Sequence, residues 1–186
     1  EFPIVFRMTE GLAGLGYTVL APTLTLGVTH RRTSLACEAI HTHTLDDGID
    51  ELQRWMNWLR QRHQGPIVLV GHSLGSIAML AYLERNLAPR PIHFIGVSIM
   101  EGRIERNNSS DRQIIDKLRA SIKQGRHAPV KQSFSFCKSF QATPESLLSY
   151  LSWSPERIRQ TSARHKEAVT YIMGSRDDRL GPGWIE

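Results

Sequence analysis

The residues best placed to do chemistry are in Gly71-His72-Ser73-Leu74-Gly75, a serine between two spaced glycines. A serine hydroxyl is a weak nucleophile until geometry and a neighbouring base activate it. The G-x-S-x-G spacing supplies that geometry only where a buried strand runs into it and a helix leaves it. Pro66 to Val70 is a continuous apolar run, as expected of a strand covered on both faces. From about Ser76 onward, Ile77, Leu80, Ala81 and Leu83 recur at helical spacing. Side chains two before and two after the serine are expected to crowd so sharp a turn, which Gly71 and Gly75 relieve. The expected result is a strained backbone at Ser73, with its hydroxyl above the carboxyl end of a sheet. The helix N-terminus there favours negative charge.

Other residue types that titrate or ligate are scattered. Asp177 and Asp178 follow the apolar run Ala168 to Met173, and Glu101 follows the run Ile92 to Met100. His41 and His43 alternate as a metal pair would, but no third ligand accompanies them, and they read as surface loop histidines. Cys37 and Cys137 are too few for a disulfide scaffold and read as two free buried thiols.

The elements that must position these residues follow from periodicity. Ile4, Met8, Leu12 and Leu15 mark a helix that Gly16 can close. Tyr17 to Ala21 reads as a short strand, and Thr23 to His43 as irregular chain. Thr44-Leu45-Asp46-Asp47 starts a helix that Gly65-Pro66 stops. After the strand ending at Met100 come three expected helices. One follows Ser110 and closes at Gly125; the others start at Thr143-Pro144-Glu145 and Ser154-Pro155-Glu156, each with proline in the first turn. Ala168 to Met173 is the last strand. Strands alternating with helices predict an α/β protein: three layers around a doubly wound, mostly parallel sheet. Residues 1–101 and 168–186 would form its core, and 102–167, which interrupts the alternation, a helical cap.

Composition excludes several classes. No apolar run approaches about 18 residues, so no membrane span is expected. The net charge is +5, and the segment Glu101–Phe140 holds all of it, with nine bases against four acids. No aromatic residue lies between Glu101 and Val130 to stack on bases, so nucleic acid is not an expected partner.

Three segments carry a resemblance to the α/β-hydrolase superfamily of the serine esterase/lipase type. Gly14-x-Gly16-Tyr17-Thr18-Val19-Leu20-Ala21-Pro22 resembles the segment around the strand before the elbow. Gly71-His72-Ser73-Leu74-Gly75 resembles the nucleophile elbow, and Met173-Gly174-Ser175-Arg176-Asp177 the turn that presents the acid. The resemblance implies Ser73 as nucleophile, the Leu74 amide as an oxyanion donor and Asp177 as the acid that orients a histidine, with Asp178 or Glu101 as alternatives. His72 would point away from the attack direction. The family order is Ser, acid, His, yet no histidine follows Asp177. The resemblance therefore implies an internal piece of a longer hydrolase, lacking the N-terminal strands with the oxyanion loop and the C-terminal catalytic histidine. Tyr17–Ala21 and Pro66–Val70 would then be separated by the width of a missing strand.

The implied reaction is cleavage of a carboxylic ester or related acyl bond through an acyl-enzyme, with a small-molecule acyl substrate and no metal or cofactor. An acyltransferase using the same serine, or a non-catalytic binding protein on the same scaffold, are the alternatives. Phe134, Phe136, Phe140, Tyr150 and Trp153 would either line an acyl pocket or pack the cap on the core.

Overall fold

The computed structural model describes residues 3–99 and 108–175. Helix α1 (Pro3–Gly14) closes as its sequence predicts: Gly16 adopts φ 89°, and the Tyr17 amide reaches back to the Leu12 carbonyl at 3.2 Å. None of its residues is buried. Tyr17–Ala21 forms no strand. Its residues suit a strand, but no partner strand lies beside them among the described residues, and a strand exists only through its ladder.

β1 (Ile40–His41) is short. α2 (Leu45–Arg62) starts where expected, with a capping box in which Thr44 Oγ1 accepts from the Asp47 amide and the Asp47 carboxylate accepts from the Thr44 amide. β2 (Val68–His72) leads into α3 (Leu74–Glu84), and β3 (His93–Val97) follows. Next come α4 (Asn108–Lys123), β4 (Val130–Phe134), β5 (Cys137–Ala142), α5 (Pro144–Leu151), α6 (Pro155–Arg164) and β6 (Val169–Ile172). Thr143 and Ser154 cap α5 and α6 with their side-chain oxygens, each followed by proline.

The molecule is mixed α/β with two three-stranded sheets. One, in the order β2-β3-β6, is wholly parallel. The other, β1-β5-β4, pairs β1 parallel to β5 and closes β4–β5 as an antiparallel hairpin. The described residues thus contain a small parallel sheet, not an extended doubly wound one. The segment expected to be a purely helical cap contains its three helices plus this hairpin. Ser135, at φ 55°, makes the turn. Cys37 and Cys137 are not free thiols: they form a disulfide that joins the chain before β1 to the start of β5.

One hydrophobic core runs through both halves. α3 is apolar on every side and sits at its centre, with Ile77, Leu80 and Tyr82 fully buried. Leu45 and Ile49 of α2 and Phe94 of β3 pack with it, and Leu147, Trp153 and Ile158 close the core from the α5–α6 side. No helix among the described residues is long and apolar enough to cross a membrane.

Candidate active site

The chain turns from β2 to α3 within one residue. Ser73 takes φ 56° and ψ −127°, close to the first central position of a type II′ turn, where glycine is the ordinary occupant. Two hydrogen bonds hold it there. Its amide donates to the Val97 carbonyl at 3.0 Å, and its carbonyl accepts from the Ser76 amide at 3.0 Å. The strain is thus fixed by β3 on one side and by the first turn of α3 on the other.

Gly71 is required sterically. A Cβ there would stand 2.6 Å from Ser76 Cα and 2.9 Å from the Gly75 carbonyl oxygen. Gly75 differs from expectation: a Cβ on it would meet nothing within 4 Å, because the second residue of α3 faces outward. Crowding explains one glycine of the motif and not the other.

The three parallel strands end on one rim, with His72, Val97 and Ile172 in register. Ser73 leaves that rim from β2. Ser98 leaves it from β3 with φ 47°, its amide donating to the Ile172 carbonyl at 2.8 Å. Leu74 is the first residue of α3, where main-chain amides lack intrahelical acceptors. His72 is half-buried at the end of β2. The structure therefore brings Ser73, Leu74 and the end of β6 to a common edge. Asp177, Asp178 and Glu101 lie outside the described residues.

Two hollows open elsewhere. One, of about 360 Å³, is lined by Thr44, Asp46, Arg119, Glu145 and neighbouring residues; the other, of about 240 Å³, by Glu84, Arg85, Trp153 and Arg157 among others. Neither is lined by Ser73. Of the aromatic residues in the segment 102–167, Phe134, Phe140, Tyr150 and Trp153 are buried in the core, where Phe134 meets the rings of both Phe140 and Tyr150. Phe136 is 83% exposed at the hairpin turn. The four buried rings belong to the core that the two halves share.

The histidine pair departs most from expectation. His41 and His43 are not surface residues; they are 6% and 8% exposed. Burial lowers the pKa of both, and brings His43 to about 4, with the neighbouring His41 adding to the effect. Among the described residues, no three His, Cys, Asp or Glu side chains converge as a metal site.

A charged cluster had no signal in the sequence beyond one acid ending an apolar helix. Glu84 accepts from Arg157 Nη2 at 2.6 Å, Thr161 Oγ1 at 2.9 Å and Arg164 Nη2 at 3.1 Å, tying α3 to α6. The Arg157 guanidinium also lies 4.2 Å from the Trp153 ring centre.

A mixed α/β protein with a strained strand–serine–helix turn is the class these features define. Residues 5–175 match the family described as Protein of unknown function (DUF1749), and the chain belongs to that family. No curated protein and no solved structure matches it.

Proposed function

We propose that this protein is a serine hydrolase of the α/β-hydrolase class, with Ser73 as its nucleophile. One observation carries the reading: a serine held at φ 56°, ψ −127° at the rim of a parallel sheet, behind a glycine with no room for a Cβ. Backbone strain of this kind costs about 1–3 kcal/mol and persists where function or over-determined packing holds it.

In this reading residues 1–101 and 168–186 are the core of the larger doubly wound fold, and 102–167 is its cap. Ser73 Oγ attacks the acyl carbon of an ester while its proton passes to a histidine acting as general base. Asp177 orients that histidine. The Leu74 amide, at the N-terminus of α3, donates to the oxyanion. The alcohol leaves with the proton, and water then attacks the acyl-enzyme, restoring the Ser73 hydroxyl and releasing the acid.

The test is covalent labelling of the full-length protein with a fluorophosphonate, followed by peptide mapping. Phosphonylation of Ser73, absent from Ser73→Ala, together with turnover of short-chain nitrophenyl esters, is the expected result. A folded protein that neither labels at Ser73 nor cleaves an ester would overturn the proposal.

A further inference from the structure

The seam between the β4–β5 hairpin and the chain around β1 holds two imidazoles that ester hydrolysis does not use. Phe140 stacks on His41 with ring centres 4.1 Å apart, and Tyr150 meets His43 edge-on at 6.0 Å. Both rings are therefore fixed by aromatic packing.

The proton of His41 is fixed as well. His41 Nε2 lies 3.1 Å from the Ala36 carbonyl oxygen, which can only accept, so Nε2 carries the hydrogen. Nδ1 of each ring is buried and has no partner. His41 thus presents a bare lone pair on Nδ1, and His43 an equally buried, unpartnered Nδ1. A buried polar atom left unpaired costs about 1–3 kcal/mol, so two together call for an explanation.

A neutral imidazole with one nitrogen bare and the other donating to a main-chain carbonyl is the usual arrangement of a metal-bound histidine. Two imidazole ligands without a third do not suit zinc, which takes four, or the hard cations, which take oxygen. They suit a soft monovalent ion that accepts linear two-coordination. With a metal–nitrogen bond of about 2 Å, and each nitrogen about 1.1 Å from its ring centre, two imidazoles on one linear ion have centres about 6 Å apart. The observed separation is 5.8 Å. The 64° angle between the rings is no obstacle, since rotation about a linear nitrogen–metal–nitrogen axis is unrestricted. The thiols of Cys37 and Cys137 are tied up in the disulfide, so no thiolate competes for the ion.

We propose that His41 and His43 form a two-coordinate site for Cu(I), each binding through Nδ1. The site is independent of the hydrolase reading.

The full chain, kept under argon with ascorbate so that the disulfide survives, is titrated with Cu(I) against bicinchoninate. One equivalent binds, and X-ray absorption shows two nitrogen donors and no sulfur. Loss of an outer-sphere partner alone weakens metal sites by about 10–100-fold, so His41→Asn and His43→Asn should each weaken binding by more than about 100-fold. If those variants do not fold, ¹⁵N spectra of the unsubstituted chain with Ag(I) decide the matter: the Nδ1 signals of both histidines shift together at one equivalent. No uptake, a sulfur donor, or Nδ1 signals unmoved by Ag(I) would overturn the site.

Discussion

A Cβ placed on Gly71 would stand 2.6 Å from Ser76 Cα, whereas one placed on Gly75 would touch nothing within 4 Å. The two glycines of the motif therefore separate by mutation. Gly71→Ala must push the start of α3 away from β2 and should cost about 2–4 kcal/mol, since both elements are core. Gly75→Ala lies in the first turn of a helix and should be neutral or stabilising by up to about 1 kcal/mol. Urea midpoints of the two variants check this; equal losses would contradict it.

Ser73 supplies a second separation, between fold and chemistry. Its φ of 56° is unfavourable to any side chain, so Ser73→Gly should be more stable than Ser73→Ala by about 1 kcal/mol. Both should lose ester turnover and fluorophosphonate labelling. Thermal melts that rank alanine above glycine would show that the strain is not borne at this residue.

What the sequence shows of this molecule is mostly local. Caps at Thr44, Thr143 and Ser154 depend on residues within one helical turn, so they are legible. So is the strand–serine–helix turn, because a buried strand, a glycine, a serine and a helix follow one another directly. The hairpin is hidden because Lys131, Gln132 and Ser133 mask the alternation of β4, and its Ser135-Phe136 turn has neither glycine nor asparagine. Tyr17–Ala21 shows the reverse error: strand-forming residues without a partner. The disulfide and the burial of His41 and His43 arise from Cys137, Phe140 and Tyr150, about a hundred residues further along the chain. No local pattern reports such contacts.

Glu84 should make stability depend on acid. Burial raises its pKa, but hydrogen bonds from Arg157 and Thr161 and the charges of Arg157 and Arg164 outweigh this, so the folded value lies below the ordinary one of 4.5. A depressed carboxyl pKa stabilises the fold above the unfolded value, and that contribution disappears as pH falls through the folded one. Unfolding free energy should therefore drop below about pH 4.5 more steeply in the native chain than in Glu84→Gln. At pH 7 that variant should lose about 1–3 kcal/mol, because two arginines remain without their carboxylate. Parallel acid slopes for the two proteins would remove Glu84 from the account.

The Cys37–Cys137 bond closes a loop of 100 residues. Constraining an unfolded chain over that span is worth about 4.7 kcal/mol by loop entropy alone, and disulfides typically deliver about 2–4 kcal/mol of such a sum. Reduction should lower the melting temperature, and the Cys37→Ser/Cys137→Ser chain should match the reduced protein. Faster hydrogen exchange should concentrate at Ile40–His41 and along Cys137–Ala142, because β1 is held to β5 by only two register pairs. An unchanged melt under reductant would mean that packing of Phe134 and Phe140 alone holds the seam.

β2 offers the last test. It pairs with β3 along one edge, and among the described residues no strand pairs with the other. An unpaired strand edge is a template for association, the more so with apolar side chains beside it. Val68 is 43% exposed on that strand, and Ile4, Phe6 and Leu15 of the α1 region are exposed as well. Val68 lies on the opposite face of the strand from buried Leu69, so a lysine there puts charge at the edge without entering the core. Val68→Lys should reduce self-association of the 186-residue chain in sedimentation and light scattering, while the urea midpoint moves by no more than about 0.5 kcal/mol equivalent. Leu69→Lys, facing inward, should instead unfold the protein. If Val68→Lys associates as readily as the native chain, the contact lies on the exposed apolar side chains of α1 and not on the strand edge.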